Sequence, residues 1–94
     1  MSATGTATVD FTSTPSKYAT AVVTGQTGIT GSSVAEAWIM GSTTADHSAD
    51  EHIMLAQDVV PVCGNIVAGT GFTIYLDCYG GPYTGQFTVK WVWA

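Results

Sequence analysis

The segment Ala45–His52, Ala-Asp-His-Ser-Ala-Asp-Glu-His, holds both histidines and three of the seven acidic residues of a chain with only two basic ones. In a protein with 10% charged residues, this is where chemistry would be concentrated. Asp46, His47, Asp50, Glu51 and His52 combine carboxylate and imidazole donors that could ligate a metal ion, relay protons, or lock a loop. Their spacing discriminates among these. His47 and His52 are five apart, which on a helix turns them about 140° away from a common face. The zinc-helix pattern needs histidines four apart with a glutamate between them, and the segment lacks the acidic rhythm and glycine of a calcium-binding EF-hand loop. Ser48 with Glu51 three residues later is instead a capping-box pattern. It predicts a short helical turn near residues 48–52, with Asp46 binding backbone amides in the turn before it. The structural loop reading of Asp46, Ser48 and Glu51 therefore stands first, and a structural metal ion held by the five donors second. No other cofactor is implied.

Other chemistry fares less well. A serine–histidine–aspartate triad has its residue types but no Gly-x-Ser-x-Gly elbow; Gly31-Ser32-Ser33 reads as a turn. Cys63 and Cys78 have no Lys or Arg beside them in sequence to activate a thiolate. If Thr70-Gly71 is a two-residue turn the two cysteines lie opposite, and if Gly69-Thr70 is the turn they lie diagonal; either register sets them on one face, within reach of a cross-strand disulfide. Synthesis in a cytoplasm favours two buried thiols. Trp38, Trp91 and Trp93 could form a sugar-stacking platform, but Trp91 and Trp93 share the face of Phe87 and Val89, so core packing is preferred. Tyr79 and Tyr83, beside Gly80-Gly81, are the aromatic residues expected at the surface, as a ligand or subunit contact.

The elements that must position these residues read mainly with period two. Phe87, Val89, Trp91 and Trp93 alternate with Gln86, Thr88, Lys90 and Val92, and Phe72, Ile74, Leu76 and Cys78 alternate in the same way. Tyr79-Gly80-Gly81-Pro82 between them predicts a hairpin. Further strands are expected at Ala7–Thr12, Ala19–Val23 and Val59–Val67, the last an edge or bulged strand because of Pro61 and Gly64. Val34–Met40 has a capping-box start but is too short for an independent helix, and a strand is favoured. With no long amphipathic helix, the fold class is all-β. A single domain, 1–94, is expected, folded as a small antiparallel β-sandwich or jelly-roll-like barrel of six to eight strands, with residues 1–6 as a flexible arm.

Composition bounds the function. A net charge of −5 without arginine excludes the basic patch that nucleic-acid binding requires, and removes electrostatic attraction to anionic membranes. No apolar run approaches a membrane span, and Met1–Phe11 lacks the pattern of a signal peptide. At 46% hydrophobic, so small a domain has few charges to cover its surface, which suggests burial against another subunit.

Several blocks together resemble a family of small, poorly characterised structural (virion) proteins of tailed bacteriophages and prophages: Gly25-Gln26-Thr27-Gly28-Ile29, Ala35-Glu36-Ala37-Trp38, the Ala45–His52 segment, Gly64–Tyr75 (GNIVAGTGFTIY) and Gln86–Ala94 (QFTVKWVWA). The likeness implies a non-enzymatic head-decoration, cement or fibre-type subunit made in the host cytoplasm and residing in the virion. Its partners would be its own copies, with a trimer favoured, and other virion proteins such as the major capsid protein. The alternatives are a tail-associated glycan- or receptor-binding module using Tyr79 and Tyr83, and a small metal-binding domain using Asp46–His52.

Overall fold

The computed structural model describes residues 2–94. Two three-stranded antiparallel sheets face each other. One contains β1 (Ala3–Asp10), β6 (Gln86–Trp93) and β3 (Ala35–Ile39) in the order β1-β6-β3; the other contains β2 (Tyr18–Val23), β5 (Gly71–Asp77) and β4 (Val62–Val67) in the order β2-β5-β4. The edge strands β1 and β2 approach each other on one side of the sandwich, and β3 and β4 on the other. An eight-residue helix, α1 (Ala49–Ala56), lies in the β3–β4 connection and packs against β3. This is the expected all-β sandwich, with six strands.

The strands form because alternate residues find one common interior. Ala19, Ala21 and Val23 of β2 and Phe72, Ile74 and Leu76 of β5 face Val9, Phe87, Val89, Trp91 and Trp93 of the other sheet. The central strand of each sheet carries the large side chains, and the edges beside β6 carry small ones. Across β1-β6-β3 the inner rows read Ala3–Trp93–Ala35 and Gly5–Trp91–Ala37. Each indole thus has room because its neighbours are small. A Cβ on Gly5 would lie 2.5 Å from Cζ2 of Trp91, so this position needs glycine. Trp93 satisfies its indole N–H by donating to Gln26 Oε1 at 3.0 Å. The buried Trp91 N–H has no acceptor among the described residues.

Three expectations are corrected and a fourth is extended. Residues 3–6 are no flexible arm: they begin β1, and Ala3–Thr6 pair with Trp93–Lys90. The polar threonines that suggest an arm occupy the outer face, while Ala3, Gly5 and Ala7 face inward. Met1 lies outside the described residues. The β5–β6 hairpin does not form, because the two strands are the centres of different sheets. Both carry their largest apolar residues on one face, and stacking the faces across the sandwich buries them. The Cys63–Cys78 register also differs. Val67 pairs with Gly71, and a shift between Gly64 and Val67 sets Cys63 opposite Ile74. Cys78 is four residues further along, roughly 13 Å at strand rise, too far for a disulfide. Both thiols are free, Cys78 buried and Cys63 half-buried. Finally, the helix begins after Ser48 as the cap requires but continues to Ala56. His52 and Leu55 are its fully buried residues, and their one-turn spacing anchors a face that a lone cap does not reveal.

Val34–Met40 contributes a strand, β3, and the segment before Val67 forms an edge strand with a bulge. Among the described residues, no helix is long and apolar enough to cross a membrane.

Candidate functional site

The Ala45–His52 segment sits where β3 leaves the sheet. The last backbone bond on that side is Met40 N–H donating to the Thr88 carbonyl at 3.1 Å. Beyond it, the β3-facing edge of β6 would be bare, an open template for another strand. Side chains of the segment take the place of that missing strand. Thr88 N–H donates to Nε2 of His52 at 2.9 Å. Gln86 N–H donates to Oδ2 of Asp46 at 2.8 Å, and Thr44 Oγ1 donates to the Gln86 carbonyl at 2.7 Å. His47 Nε2 meets the Thr84 carbonyl just before β6. Three successive alternate positions, 88, 86 and 84, are therefore closed by side chains instead of a backbone ladder.

Local chemistry holds this clamp in shape. Ser48 Oγ accepts from Glu51 N–H at 3.3 Å, and Glu51 Oε1 accepts from Ser48 N–H at 2.9 Å, completing the capping box. Thr44 Oγ1 also accepts from the amides of Asp46 and His47, so the turn before the helix is bonded internally. Gly85 has φ +76° and lies so close to Asp46 that a Cβ would fall 2.8 Å from the aspartate Cβ. Only glycine supplies both that backbone and that clearance.

The two histidines are bonded differently. His52 accepts at Nε2 and, through Nδ1, donates to the Ser48 carbonyl at 2.8 Å, which assigns the neutral Nδ1–H tautomer. His47 faces an acceptor at each nitrogen: the Glu51 carboxylate 3.1 Å from Nδ1 and the Thr84 carbonyl at Nε2. Two acceptors suit the doubly protonated ring. Desolvation opposes that charge, but the Thr84 carbonyl bond, Glu51 and Asp46 outweigh it and raise the His47 pKa above its ordinary value. Glu51 is lowered in turn, first by the Ser48 amide and then by the His47 bond. His47 stacks on Phe87 at 3.9 Å between centroids, and His52 meets the same ring edge-on at 5.0 Å.

Bonded in this way, the donors proposed for a metal point to different partners. Asp46 serves β6, Glu51 the cap and His47, and His52 both Ser48 and Thr88. Asp50 is exposed in the first helical turn. No three His, Cys, Asp or Glu side chains are grouped to hold an ion among the described residues.

A second hub has no local sequence signal. Asp58, just after α1, accepts from Gly80 N–H at 2.7 Å, Gly81 N–H at 3.1 Å and the Tyr83 hydroxyl at 2.5 Å. It thereby steers the Cys78–Gly85 connection from one sheet to the other, where Ser16 and Tyr83 exchange both backbone bonds. The Tyr83 hydroxyl bond, the two amides and Lys17 hold the Asp58 carboxyl below its ordinary value. Desolvation and the same carboxylate push the Tyr83 phenol up to about 12.

The two tyrosines expected at the surface therefore part company. Tyr79 is 87% exposed. Tyr83 is not a surface contact: its ring packs on Phe11 and Phe87, and its hydroxyl is bonded to Asp58. Burial pushes both thiols up to about 11, aided at Cys63 by Glu36 and at Cys78 by Asp58 and Asp77. That leaves them protonated and poorly nucleophilic at neutral pH.

The outer faces of the sheets differ. On β1-β6-β3 the exposed side carries Thr4, Thr6, Thr8, Asp10, Gln86 and Glu36, with one large apolar side chain, Trp38, exposed beside the half-buried Lys90. On β2-β5-β4 the pairing sets Tyr18 beside Asp77, Tyr75 beside Val62 and Val22 beside Thr73, with Tyr18, Val22 and Val62 exposed. No family model matches the chain, and neither a curated protein nor a solved structure matches it.

Proposed function

We propose that this chain is a non-enzymatic structural subunit of a tailed-phage virion, of the head-decoration, cement or fibre type, acting by self-association and attachment to the particle. One observation carries the non-catalytic part of this reading. The residues best suited to chemistry are engaged in holding the fold, while Tyr18, Val22, Val60 and Val62 expose apolar surface on the β2-β5-β4 outer face and the chain entering β4, and Trp38, Ile53 and Met54 expose more on β3 and α1. A surface of that kind serves association. The phage setting rests on the sequence resemblance, from Gly25–Ile29 through Gln86–Ala94. Many identical weak contacts on a symmetric particle would sum to firm attachment, and a closed ring such as a trimer suits such a site.

A glycan-binding module is the second reading, favoured by the exposure of Tyr79 in a groove. It is weakened because Tyr83, its intended partner, is bonded to Asp58. Light scattering of the purified protein, alone and mixed with purified capsids, tests the first reading. Oligomers that co-sediment with capsids are expected. A monomer without capsid affinity refutes it.

A further inference from the structure

We propose that the ridge Val60-Pro61-Val62, with the groove on each side of it, is the docking site for an extended segment of another protein carrying Lys or Arg between apolar residues. Val60 and Val62 are 78% and 61% exposed. They line two grooves at once: one of about 360 Å³, continued by Tyr75, Asp77, Cys78 and Tyr79, and one of about 340 Å³, continued by Ala35, Glu36, Ala37 and Cys63. Each groove is mostly apolar and contains one carboxylate, Asp77 in the first and Glu36 in the second.

Charge selects the occupant. Among the described residues the sole ion pair is His47–Glu51, so neither Asp77 nor Glu36 has a cationic partner within bonding range. Neither Lys17 nor Lys90 lines either groove; Lys17 runs over Gly81, near Asp58. Covering a carboxylate with apolar surface removes its hydration without compensation, and a cation on the incoming segment restores it. A second copy is the poorer fit: in any symmetry, a ring included, it brings only Lys17 and Lys90 as cations to meet these carboxylates. In a two-fold contact the same patch meets itself, which sets these carboxylates against one another in a chain of net charge −5. The edge strand β4 adds backbone groups that an extended segment can use, as in strand addition.

This inference rests on the attachment reading above, for which it names the surface and the chemistry of the partner. The probe is a capped peptide alternating valine and arginine, titrated into the labelled protein by heteronuclear NMR, with a valine–glutamate peptide as control. Salt-sensitive shifts confined to residues 35–37, 60–63 and 75–79 are expected with the arginine peptide alone. Asp77→Asn and Glu36→Gln should each weaken binding about two- to fivefold, the scale of an exposed ion pair. Val62→Ser should weaken it further, with backbone amide spectra confirming that each variant is folded. Equal binding of the glutamate peptide, shifts elsewhere, or no shifts at millimolar peptide would overturn the proposal. So would dimerisation that Val60→Asp abolishes, since a second copy would then be the occupant. Capsid co-sedimentation without peptide binding would sink this surface and leave the attachment reading standing; peptide binding without co-sedimentation would do the reverse.

Discussion

Gly5→Ala should destabilise the fold through Trp91. The new Cβ would sit 2.5 Å from Cζ2 and 2.9 Å from Cε2 of the indole, whereas ordinary contact begins at 3.4 Å. One of the two must therefore yield by about 0.9 Å, the difference between 3.4 and 2.5 Å. Trp91 has little freedom to do so. It is 6% exposed, lies between Gly5 and Ala37 in its own sheet, and meets Phe72 of the facing sheet edge-on at 5.6 Å. Overpacking of this kind costs about 1–3 kcal/mol. Loss of glycine from the unfolded chain returns about 0.4–1 kcal/mol. The net expectation is a loss of up to about 2.6 kcal/mol, at about 4–8 °C of Tm per kcal/mol for a domain of this size. Denaturant unfolding followed by tryptophan fluorescence measures it. Trp91→Phe removes both clashing atoms, so in that background Gly5→Ala should be neutral or stabilising, and the double-mutant cycle should show coupling. An equal effect in both backgrounds, or a stabilised Gly5→Ala, would refute the packing argument.

Three further outcomes follow from the two hubs. His52→Leu keeps an apolar side chain but leaves Thr88 N–H without its acceptor, so stability should fall by about 1–3 kcal/mol. Hydrogen exchange at Thr88 should accelerate, and unchanged protection would show that the clamp does not close that edge. Asp58→Asn should bring the Tyr83 phenol down from about 12, read by ultraviolet titration. Because the Asp58 pKa is depressed on folding, its stabilisation is present above the unfolded carboxylate value and is lost as pH falls through the folded one. Asp58→Asn should therefore flatten the acid limb of stability. His47 has the opposite sign: its pKa is raised, so its contribution is complete below the unfolded value of about 6.5 and fades as pH rises through the folded value. Wild-type stability should decline across that range more than that of His47→Gln, and parallel profiles would refute the charged-clamp assignment.

How much was legible from the residues depends on how local the cause is. The cap at Ser48 and Glu51 spans three positions and acts within one turn, so the spacing alone announces it. The alternation of Phe87–Trp93 and Phe72–Leu76 announces two strands in the same way. It is silent on their partner, because two faces of equal apolarity satisfy either a hairpin or a sandwich. Asp58, which bonds the connection between them, acts from 22 residues before Gly80 and 25 before Tyr83, with nothing in its neighbourhood to mark it. The surface role expected of Tyr83 failed for the same reason.

Sequence by itself determined the all-β class, the helix start and the poverty of cations, since periodicity, capping and charge are properties of neighbours or of totals. Only the tertiary structure decided what Asp46, His47 and His52 do. Their partners are the backbone groups of Gln86, Thr84 and Thr88, which become available because β3 leaves the sheet after Met40. A bare strand edge must be satisfied by something, and which side chains lie beside it is a matter of how the chain returns through space.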